Sequence, residues 1–301
     1  MMFDLLYKQM IHHWFDQYGI HNIPATESEP NSSIPRLIAR SAKLHQQHFF
    51  RHAIPALIWI NRGEMISQKE STCHTYIAQQ FHINLLQQPT YVTVKGDKKQ
   101  NFQALYYFLD LNEFAKFQHL APKKDNDNIN SPELTLIKHD KLLGCLARLL
   151  DLYNCPKDIE IIQPLIHKEL HYYLMTSQIG GNIVDFLFGQ EKQTALLQAV
   201  NWINQHYTEP LSIPLLAKQI SMSEASLYKG FKTLTGFSPL QYQKTLRLQK
   251  AKALLAENTS VTATCYHIGY ESVTQFSREY HRMFGIQPSK QKSVLQYKSN
   301  N

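Results

Sequence analysis

The sequence has few of the features that support a disulfide-bonded, metal-clustered or membrane-spanning protein. Its four cysteines, Cys73, Cys145, Cys155 and Cys265, are dispersed and form no C-x-x-C pair, which favours a reducing compartment over a disulfide or metal framework. The longest apolar run, residues 53–60, is far shorter than the ~20 residues that cross a bilayer. The N-terminus contains acidic residues and histidines and lacks the apolar segment of a secretory signal. We therefore expect a cytoplasmic protein with no membrane partner.

Positive charge is concentrated in one part of the chain, which at 301 residues is long enough for two domains. Residues 193–301 carry 12 Lys and Arg against 5 Asp and Glu, whereas residues 1–192 carry 19 of each. A neutral part joined to a basic part is typical of a sensor fused to a DNA binder. Because RNA or a membrane surface attracts the same charge, the asymmetry alone does not identify the partner.

A short pattern occurs twice in the basic part, at a constant offset of 49 positions. The apolar spacing i, i+4, i+7 predicts a helix with one buried stripe in each copy. A serine can cap its start, a glycine can take the left-handed conformation at its end, and a proline then stops it. The matching pairs are Ser223/Ser272, Leu227/Phe276, Lys229/Arg278, Phe231/Tyr280, Leu234/Met283, Gly236/Gly285 and Pro239/Pro288.

A shorter predicted helix precedes each copy, at residues 213–220 and 261–268, and small residues, Ala217 and Cys265, allow the two helices to cross closely. Two helices joined by a three- or four-residue turn form a helix-turn-helix motif. A predicted helix over residues 239–257 connects the motifs and has four basic residues on its outer side: Lys244, Arg247, Lys250 and Lys252. Its length of about 28 Å is close to one turn of DNA, about 34 Å.

These residues resemble the C-terminal signature of AraC/XylS transcription regulators. The resemblance is carried by Gly-Tyr-Glu-Ser at 269–272, Gln-Phe-Ser-Arg-Glu-Tyr at 275–280, and Phe-Gly-x-x-Pro at 284–288. Ser-Pro-Leu-Gln-Tyr-Gln-Lys at 238–244 is similar to the helix that links the two motifs in that family. A looser similarity to the N-terminal domain of one AraC branch extends upstream, through the segment after Pro55 and around Pro164. The resemblance implies a regulator that contacts promoter DNA and RNA polymerase.

Residues off the buried stripes are the candidates for DNA contact. An α-helix fits the major groove, where arginine addresses guanine and glutamine adenine, while lysines more often hold phosphates. Arg278 is the first candidate for a base contact; each position could instead be an ordinary solvated helix surface. Because Gly230 interrupts the first helix, we expect the second motif to dominate specificity. The candidates are Ala225, Ser226, Tyr228, Lys229, Lys232, Val273, Thr274, Gln275, Ser277, Arg278 and Arg282.

The segment from residue 37 to residue 109 predicts an all-β domain. Apolar or alternating runs at 57–60, 73–77, 81–85, 91–94 and 105–109 are separated by turn signals, among them residues 62–64 and 87–89. By resemblance to the family this is a cupin-like barrel that senses a small molecule. An aromatic wall would suit an organic effector, although aromatic residues on strands are more often plain core. The candidate effector-binding residues are Trp59, Tyr76, Phe81, Tyr91 and Tyr106.

Helices are predicted between the two halves. Ser131, Pro132 and Glu133 together signal a helix start, Pro164 signals another, and leucines line one face of each. These helices either cap the barrel or pair with a second chain, and we favour a homodimer. The expected fold class is thus α+β with several domains. It comprises a cupin-like sensor at 1–130 with flanking helices, a helical dimerisation segment at 131–190, and an all-α DNA-binding domain with two helix-turn-helix motifs at 193–292.

Three other functions were weighed. A cupin-type metal-dependent enzyme with a DNA-binding domain requires a His/Glu triad, and His74 and His82 are not part of a His-x-His motif. A fused DNA-repair alkyltransferase needs a reactive cysteine cluster, and an architectural DNA binder would lack sequence preference. The sequence favours a regulator that is not an enzyme and needs no cofactor or metal.

Overall fold

The computed structural model describes residues 2–18, 34–42, 47–68, 73–96, 101–123 and 131–291, without the side chains of residues 2–4, 18, 42 and 47–53. Antiparallel strands make up most of the N-terminal half and helices the rest. The strands are β1 (Leu37–Ala42), β2 (Gln47–Ala53), β3 (Ala56–Arg62), β4 (Glu64–Gln68), β5 (Cys73–Ile77), β6 (Phe81–Asn84), β7 (Gln88–Lys95), β8 (Phe102–Phe108) and β9 (Glu133–Leu136).

Helices flank the sheets and form the whole C-terminal part of the described chain. They are α1 (Met2–Tyr18), α2 (Leu111–Phe117), α3 (Asp140–Asp151), α4 (Ile159–Thr176), α5 (Gly180–Val184), α6 (Glu191–Gln205), α7 (Ile213–Gln219), α8 (Glu224–Thr235), α9 (Pro239–Ala256), α10 (Val261–His267) and α11 (Val273–Phe284). No helix among the described residues is both long and apolar enough to cross a membrane.

The strands form two antiparallel sheets that enclose an apolar interior. The five-stranded sheet has the order β1-β8-β3-β6-β9 and the four-stranded sheet the order β2-β7-β4-β5. Side chains on β3 alternate between two environments: Ile58 and Ile60 face the interior between the sheets, whereas Leu57 and Trp59 pack against the helices. Because both faces of β3 are buried, the strand is apolar along nearly its whole length.

The fold-class prediction is confirmed: a β-rich N-terminal domain with flanking helices precedes an all-α domain with two helix-turn-helix motifs. The five predicted strand segments correspond to β3, β5, β6, β7 and β8. The predicted turn at 87–89 was wrong, because Gln88 and Pro89 already pair with β2. Strand pairing by β9 also carries the five-stranded sheet to Leu136, beyond the sensor boundary expected at residue 130.

Two predicted helix starts were wrong. Residues 133–136 form β9 rather than the first turn of a helix, because alternate residues Leu134 and Leu136 are buried against the sheet. The first helix of this region begins at Asp140, where the His139 side chain accepts the backbone N–H of Leu142. Pro164 lies inside α4, which begins five residues earlier. Pro164 is exposed, so water can reach the backbone group that lost its helical hydrogen bond.

Apolar side chains form three clusters, and α9 joins two of them. One large cluster runs from Ile11 through the outer face of the five-stranded sheet and α3 to α6, and includes the first helix-turn-helix motif. A second lies between the sheets, and a third holds the second motif together. On α9, Tyr242 and Leu246 pack into the large cluster while Leu248 and Leu255 pack into the third. The connecting helix therefore bridges two separate cores.

Candidate nucleic-acid interface

Two amphipathic helices, α8 and α11, form the second helices of the two motifs. Ser223 caps α8 by accepting the N–H of Ser226, and Ser272 caps α11 by accepting the N–H of Gln275. Gly236 and Gly285 end them in the left-handed conformation, with φ of 83° and 72°. The predicted caps and ends are therefore confirmed. Their buried stripes are centred on Leu227, Phe231, Phe276 and Tyr280, each with no exposed surface.

The candidate DNA-contact residues other than Val273 lie off these stripes. In α8, Ser226 is half-buried and its hydroxyl accepts from Ser223 at 3.0 Å. In α11, Val273 and Ser277 are half-buried, and Val273 packs against the third cluster. The other candidates are exposed: Ala225, Tyr228, Lys229, Lys232, Thr274, Gln275, Arg278 and Arg282. In the part of the chain that the structure describes, the exposed candidates of each helix lie on its solvent-facing side.

The first motif is packed tightly at Gly230. A Cβ at this position would come within 2.7 Å of Cδ1 of the buried Leu196 on α6. Real side chains essentially never make such a contact without a shift of the neighbour. The glycine that interrupts α8 therefore has a packing reason: it lets α8 and α6 approach each other.

The two motifs are held together by more than the connecting helix. α9 has 18 residues and so spans about 27 Å. Arg247 was expected on its outer side, but its Nε donates to the carbonyl of Tyr207 at 2.6 Å and an Nη to that of Glu209 at 2.9 Å. A Cβ on Gly269, in the turn of the second motif, would lie 2.1 Å from the carbonyl oxygen of Thr208. The second motif therefore contacts the loop after α6 directly.

Sequence reasoning did not predict a polar network that lies beside α11. Gln275 donates its Nε2 to Oε1 of Glu279 at 3.3 Å, and the Tyr270 hydroxyl donates to Oε2 of Glu279 at 2.8 Å. Arg247 lies over the Tyr270 ring, with its Cζ 5.8 Å from the ring centroid. Burial, followed by the hydrogen bond to Glu279, raises the pKa of the Tyr270 hydroxyl. The i, i+4 spacing of Gln275 and Glu279 was the available signal, since such pairs are neighbours on a helix.

Comparison with known proteins identifies both halves of the molecule. Residues 216–293 match the family model of a helix-turn-helix domain, and residues 34–182 match that of the AraC-type transcriptional regulator N-terminus. The chain belongs to the AraC/XylS family of transcription regulators. Both family models lie in the order expected of this family, with the N-terminal sensor model before the helix-turn-helix model.

Similar proteins include the transcriptional activators RhaS. The one from Yersinia pestis (strain Angola) is 26% identical over 154 residues, which are 51% of this chain and 55% of the relative. The one from Escherichia coli O157:H7 is 34% identical over 88 residues, 29% of this chain and 32% of that protein. The matched segments thus span about half or less of these relatives. The crystal structure of ToxT from Vibrio cholerae O395 has the same fold, with a TM-score of 0.56, 11% identity, and coverage of 86% of this chain and 98% of ToxT.

The five aromatic residues predicted to bind an effector are distributed over three surfaces of the AraC-type N-terminal domain. Trp59 and Phe81 pack together at 4.7 Å between ring centroids, on the side facing the helices. Tyr76 and Tyr106 face the interior between the sheets, where the Tyr106 hydroxyl lies 3.2 Å from Sδ of Met65. Tyr91 is exposed on β7. The residues therefore do not form one continuous wall.

The histidines weighed as metal ligands have other partners in this AraC-family chain. Nδ1 of His82 lies 3.2 Å from the hydroxyl of Thr135, and Nε2 lies 3.0 Å from the carbonyl oxygen of Ile77. Nδ1 of His74 lies 3.8 Å from a carboxylate oxygen of Glu133. Within the described ranges, no group of three or more His, Cys, Asp or Glu side chains is placed to hold a metal ion.

Proposed function

We propose that the chain is a transcription regulator that binds specific promoter sequences as double-stranded DNA. The observation that supports this best is the pair of capped helices, α8 and α11, each with a buried apolar stripe and an exposed polar face. Family membership and the charge asymmetry agree with it. A regulator of this kind must be in the same compartment as the promoter DNA, which agrees with the predicted cytoplasmic location.

Base readout is assigned mainly to α11. Arg278 is exposed on this helix and can pair with O6 and N7 of a guanine, while Gln275 can pair with an adenine. Arg282 and the lysines on α8, Lys229 and Lys232, are assigned to phosphates, which position the protein without reading sequence. Small or methyl-bearing residues complete the two faces against thymine methyl groups or the sugar-phosphate backbone: Ala225, Ser226, Val273, Thr274 and Ser277.

The first motif is expected to contribute less to base readout. Its exposed face offers Ala225, the half-buried Ser226 and the ring of Tyr228, none of which makes the paired hydrogen bonds of arginine or glutamine. The connecting helix, about 27 Å long, would let one chain place both helices in successive major-groove segments on one side of DNA, whose turn is about 34 Å. A bend in the DNA would accommodate the difference, at a cost of a few kcal/mol.

The test is selection of bound DNA from random sequence, with wild type and the Arg278→Ala variant. We expect Arg278→Ala to lose about 1–3 kcal/mol of discrimination at one base position. Lys229→Ala should instead weaken all sequences similarly and reduce the salt dependence by about one counterion. Lys250→Ala, on the exposed side of α9, is the control with little effect. A wild-type protein that binds random and selected DNA equally would refute sequence-specific regulation.

An organic effector and a second copy of the chain are proposed as further partners. The apolar interior between the sheets, with Tyr76 and Tyr106, remains the candidate effector region.

On α4, three apolar side chains form a suitable surface for a two-fold dimer. Ile161, Leu165 and Tyr172 are exposed at 68%, 57% and 40%. Sedimentation of the full chain should show a dimer that Leu165→Glu dissociates. The exposed Glu160, changed to Gln, is the control. Similarity to proteins named as transcriptional activators supports a role in activation. Contact with RNA polymerase is proposed as the way in which the chain would activate.

A further inference from the structure

Glu279 contacts two residues with its two carboxylate oxygens. Oε1 accepts the side-chain amide of Gln275, one turn earlier on α11, at 3.3 Å. Oε2 accepts the hydroxyl of Tyr270, which lies in the turn before that helix, at 2.8 Å. Gln275 is exposed, whereas Glu279 is half-buried. The carboxylate of Glu279 therefore connects the buried side chain of Tyr270 to the solvent-exposed amide of Gln275.

Tyr270, the residue that donates to this carboxylate, is itself held in place by its surroundings. Its side chain is only 6% exposed and its ring packs against Phe276 in the core of the second motif. The ring also contacts Arg247, which lies over it. The guanidinium of Arg247 in turn donates to the backbone carbonyl groups of Tyr207 and Glu209. The network thus extends from the end of α6 through α9 to the exposed face of α11.

A carboxylate neighbour determines which way a glutamine amide faces. The amide has a donor side and an acceptor side of nearly the same shape. Only the N–H side is attracted to Glu279, because the carboxylate repels the partial negative charge on Oε1 of Gln275. One N–H of Gln275 is then used by Glu279, while its Oε1 and second N–H remain. Those two groups match the N6 donor and N7 acceptor that adenine presents in the major groove.

We propose that Glu279 and Tyr270 are positioning residues that pre-orient Gln275 to read adenine. The inference rests on the proposed function, since it assumes that α11 enters the major groove. Without the carboxylate, the Gln275 amide would rotate freely, so it would lose its fixed orientation and with it the selectivity for adenine. The negative charge of Glu279 also disfavours DNA phosphates, so we expect it to lower affinity for all sequences while raising discrimination.

The experiment measures base preference by selection and competition binding for the full chain. Gln275→Ala first identifies the base pair that Gln275 contacts, which we expect to be an A·T pair. Tyr270→Phe, which removes only the hydroxyl, should reduce the preference for adenine at that position by roughly 3- to 10-fold, the effect of one hydrogen bond. Glu279→Gln should lose the same preference and bind all sequences more tightly.

Double variants separate positioning from a structural role. In the Gln275→Ala background, Tyr270→Phe and Glu279→Gln should leave every base preference unchanged. The inference would be overturned if either substitution changed the base preference equally with and without Gln275. A change in base preference spread over all positions of the site would overturn it as well. A preference for a base other than adenine opposite Gln275 would also overturn it. If Tyr270→Phe fails to fold, Glu279→Gln, at a half-buried position, is decisive alone. A wild-type protein with no sequence preference would instead refute the proposed function.

Discussion

Tyr242 on α9 donates its hydroxyl to the backbone carbonyl of Gln87, immediately before β7, at 2.7 Å. The two residues are 155 positions apart, and the bond joins the DNA-binding half to the AraC-type N-terminal half. The Tyr242 side chain has no exposed surface, and burial raises the pKa of its hydroxyl. Asn204 on α6 lies 2.9 Å away through its side-chain amide. Since a hydroxyl has one proton, both contacts are satisfied when the amide presents Nδ2 to the tyrosine oxygen.

Tyr242→Phe should therefore destabilise the junction between the two halves. The substitution leaves the carbonyl of the half-buried Gln87 without this partner, which costs about 1–3 kcal/mol where water cannot replace the bond. Urea denaturation followed by far-ultraviolet circular dichroism measures the change in unfolding free energy. Tyr228→Phe is the matched control: Tyr228 is 37% exposed, so we expect a change within about 0.5 kcal/mol. Equal effects of the two substitutions would show that the hydroxyl of Tyr242 contributes nothing to the junction.

Two glycines in the left-handed conformation should respond very differently to alanine. Gly269 has φ of 83°, and a Cβ there would lie 2.1 Å from the backbone carbonyl oxygen of Thr208. Gly285 has φ of 72°, but a Cβ there would meet nothing within 4 Å. Gly285→Ala should cost only the conformational strain, about 1–2 kcal/mol. Gly269→Ala adds a backbone clash and should cost clearly more.

Thermal unfolding of both alanine variants measures this difference. Gly269→Ala should also separate the second motif from the loop after α6, so that DNA affinity falls more than it does for Gly285→Ala. If both variants lose the same stability, the contact between Gly269 and Thr208 does not hold the two motifs together.

The helices of the DNA-binding half were predictable because their signals are local. Ser223 and Gly236 lie at the two ends of α8, and the spacing of Leu227 and Phe231 fixes its buried stripe. Helix periodicity and caps depend on residues within about four positions of each other. Strand existence followed similarly from short apolar runs. Which face of a strand is buried, and against what, depends on pairing with distant segments, so Trp59 and Tyr76 were not predicted to lie on opposite sides of a sheet.

Most of the features that sequence reasoning missed depend on contacts with distant segments. Residues 131–133 carry helix-start signals, yet β9 forms because it pairs with β6, with Glu133 opposite Asn84. The contact between Tyr270 and Glu279 joins the turn of the motif to α11. No periodic spacing in the sequence predicts such a contact. Arg247 was read as a surface cation because its spacing matched the exposed lysines of α9. Only the fold brings the carbonyl groups of Tyr207 and Glu209 to its guanidinium.

Acid should destabilise the N-terminal half through two buried histidines. Burial lowers the pKa of His171 and of His82 from 6.5 to about 4 in each case. His171 accepts the backbone N–H of Asp110 through Nε2, a role that requires the neutral ring; its charged neighbours are Asp110, Glu113 and His167. Because histidines in the unfolded chain have a pKa near 6.5, the unfolded state binds more protons below that pH. Stability is therefore complete above pH 6.5 and falls as the pH approaches 4.

Unfolding free energies at pH 7, 6 and 5 test the role of His171. His171→Gln keeps an acceptor for the N–H of Asp110 but cannot titrate, so we expect a loss of stability at pH 7 that narrows as the pH falls. His82→Gln should flatten the pH dependence separately, and the double variant more than either. Identical pH dependence in the wild type and in His171→Gln would contradict the proposed titration.

The division of α9 between two cores predicts that the second motif opens on its own. Leu255 packs only into the third cluster, whereas Leu227 packs into the large cluster that also holds the sensor helices. Either leucine changed to alanine removes buried volume, at a cost of about 2–5 kcal/mol. Hydrogen exchange resolves which part of the chain loses protection. Leu255→Ala should increase exchange in α10 and α11 alone, while Leu227→Ala should increase it in α6 to α8 and in the sensor helices α3 and α4. Because the first motif shares its core with the helices of the N-terminal domain, a ligand that stabilises that domain would stabilise this motif with it. Its effect would reach the second motif through α9, the Arg247 contacts and the close approach of Gly269 to Thr208. Uniform loss of protection in Leu255→Ala would mean that the two cores unfold as one.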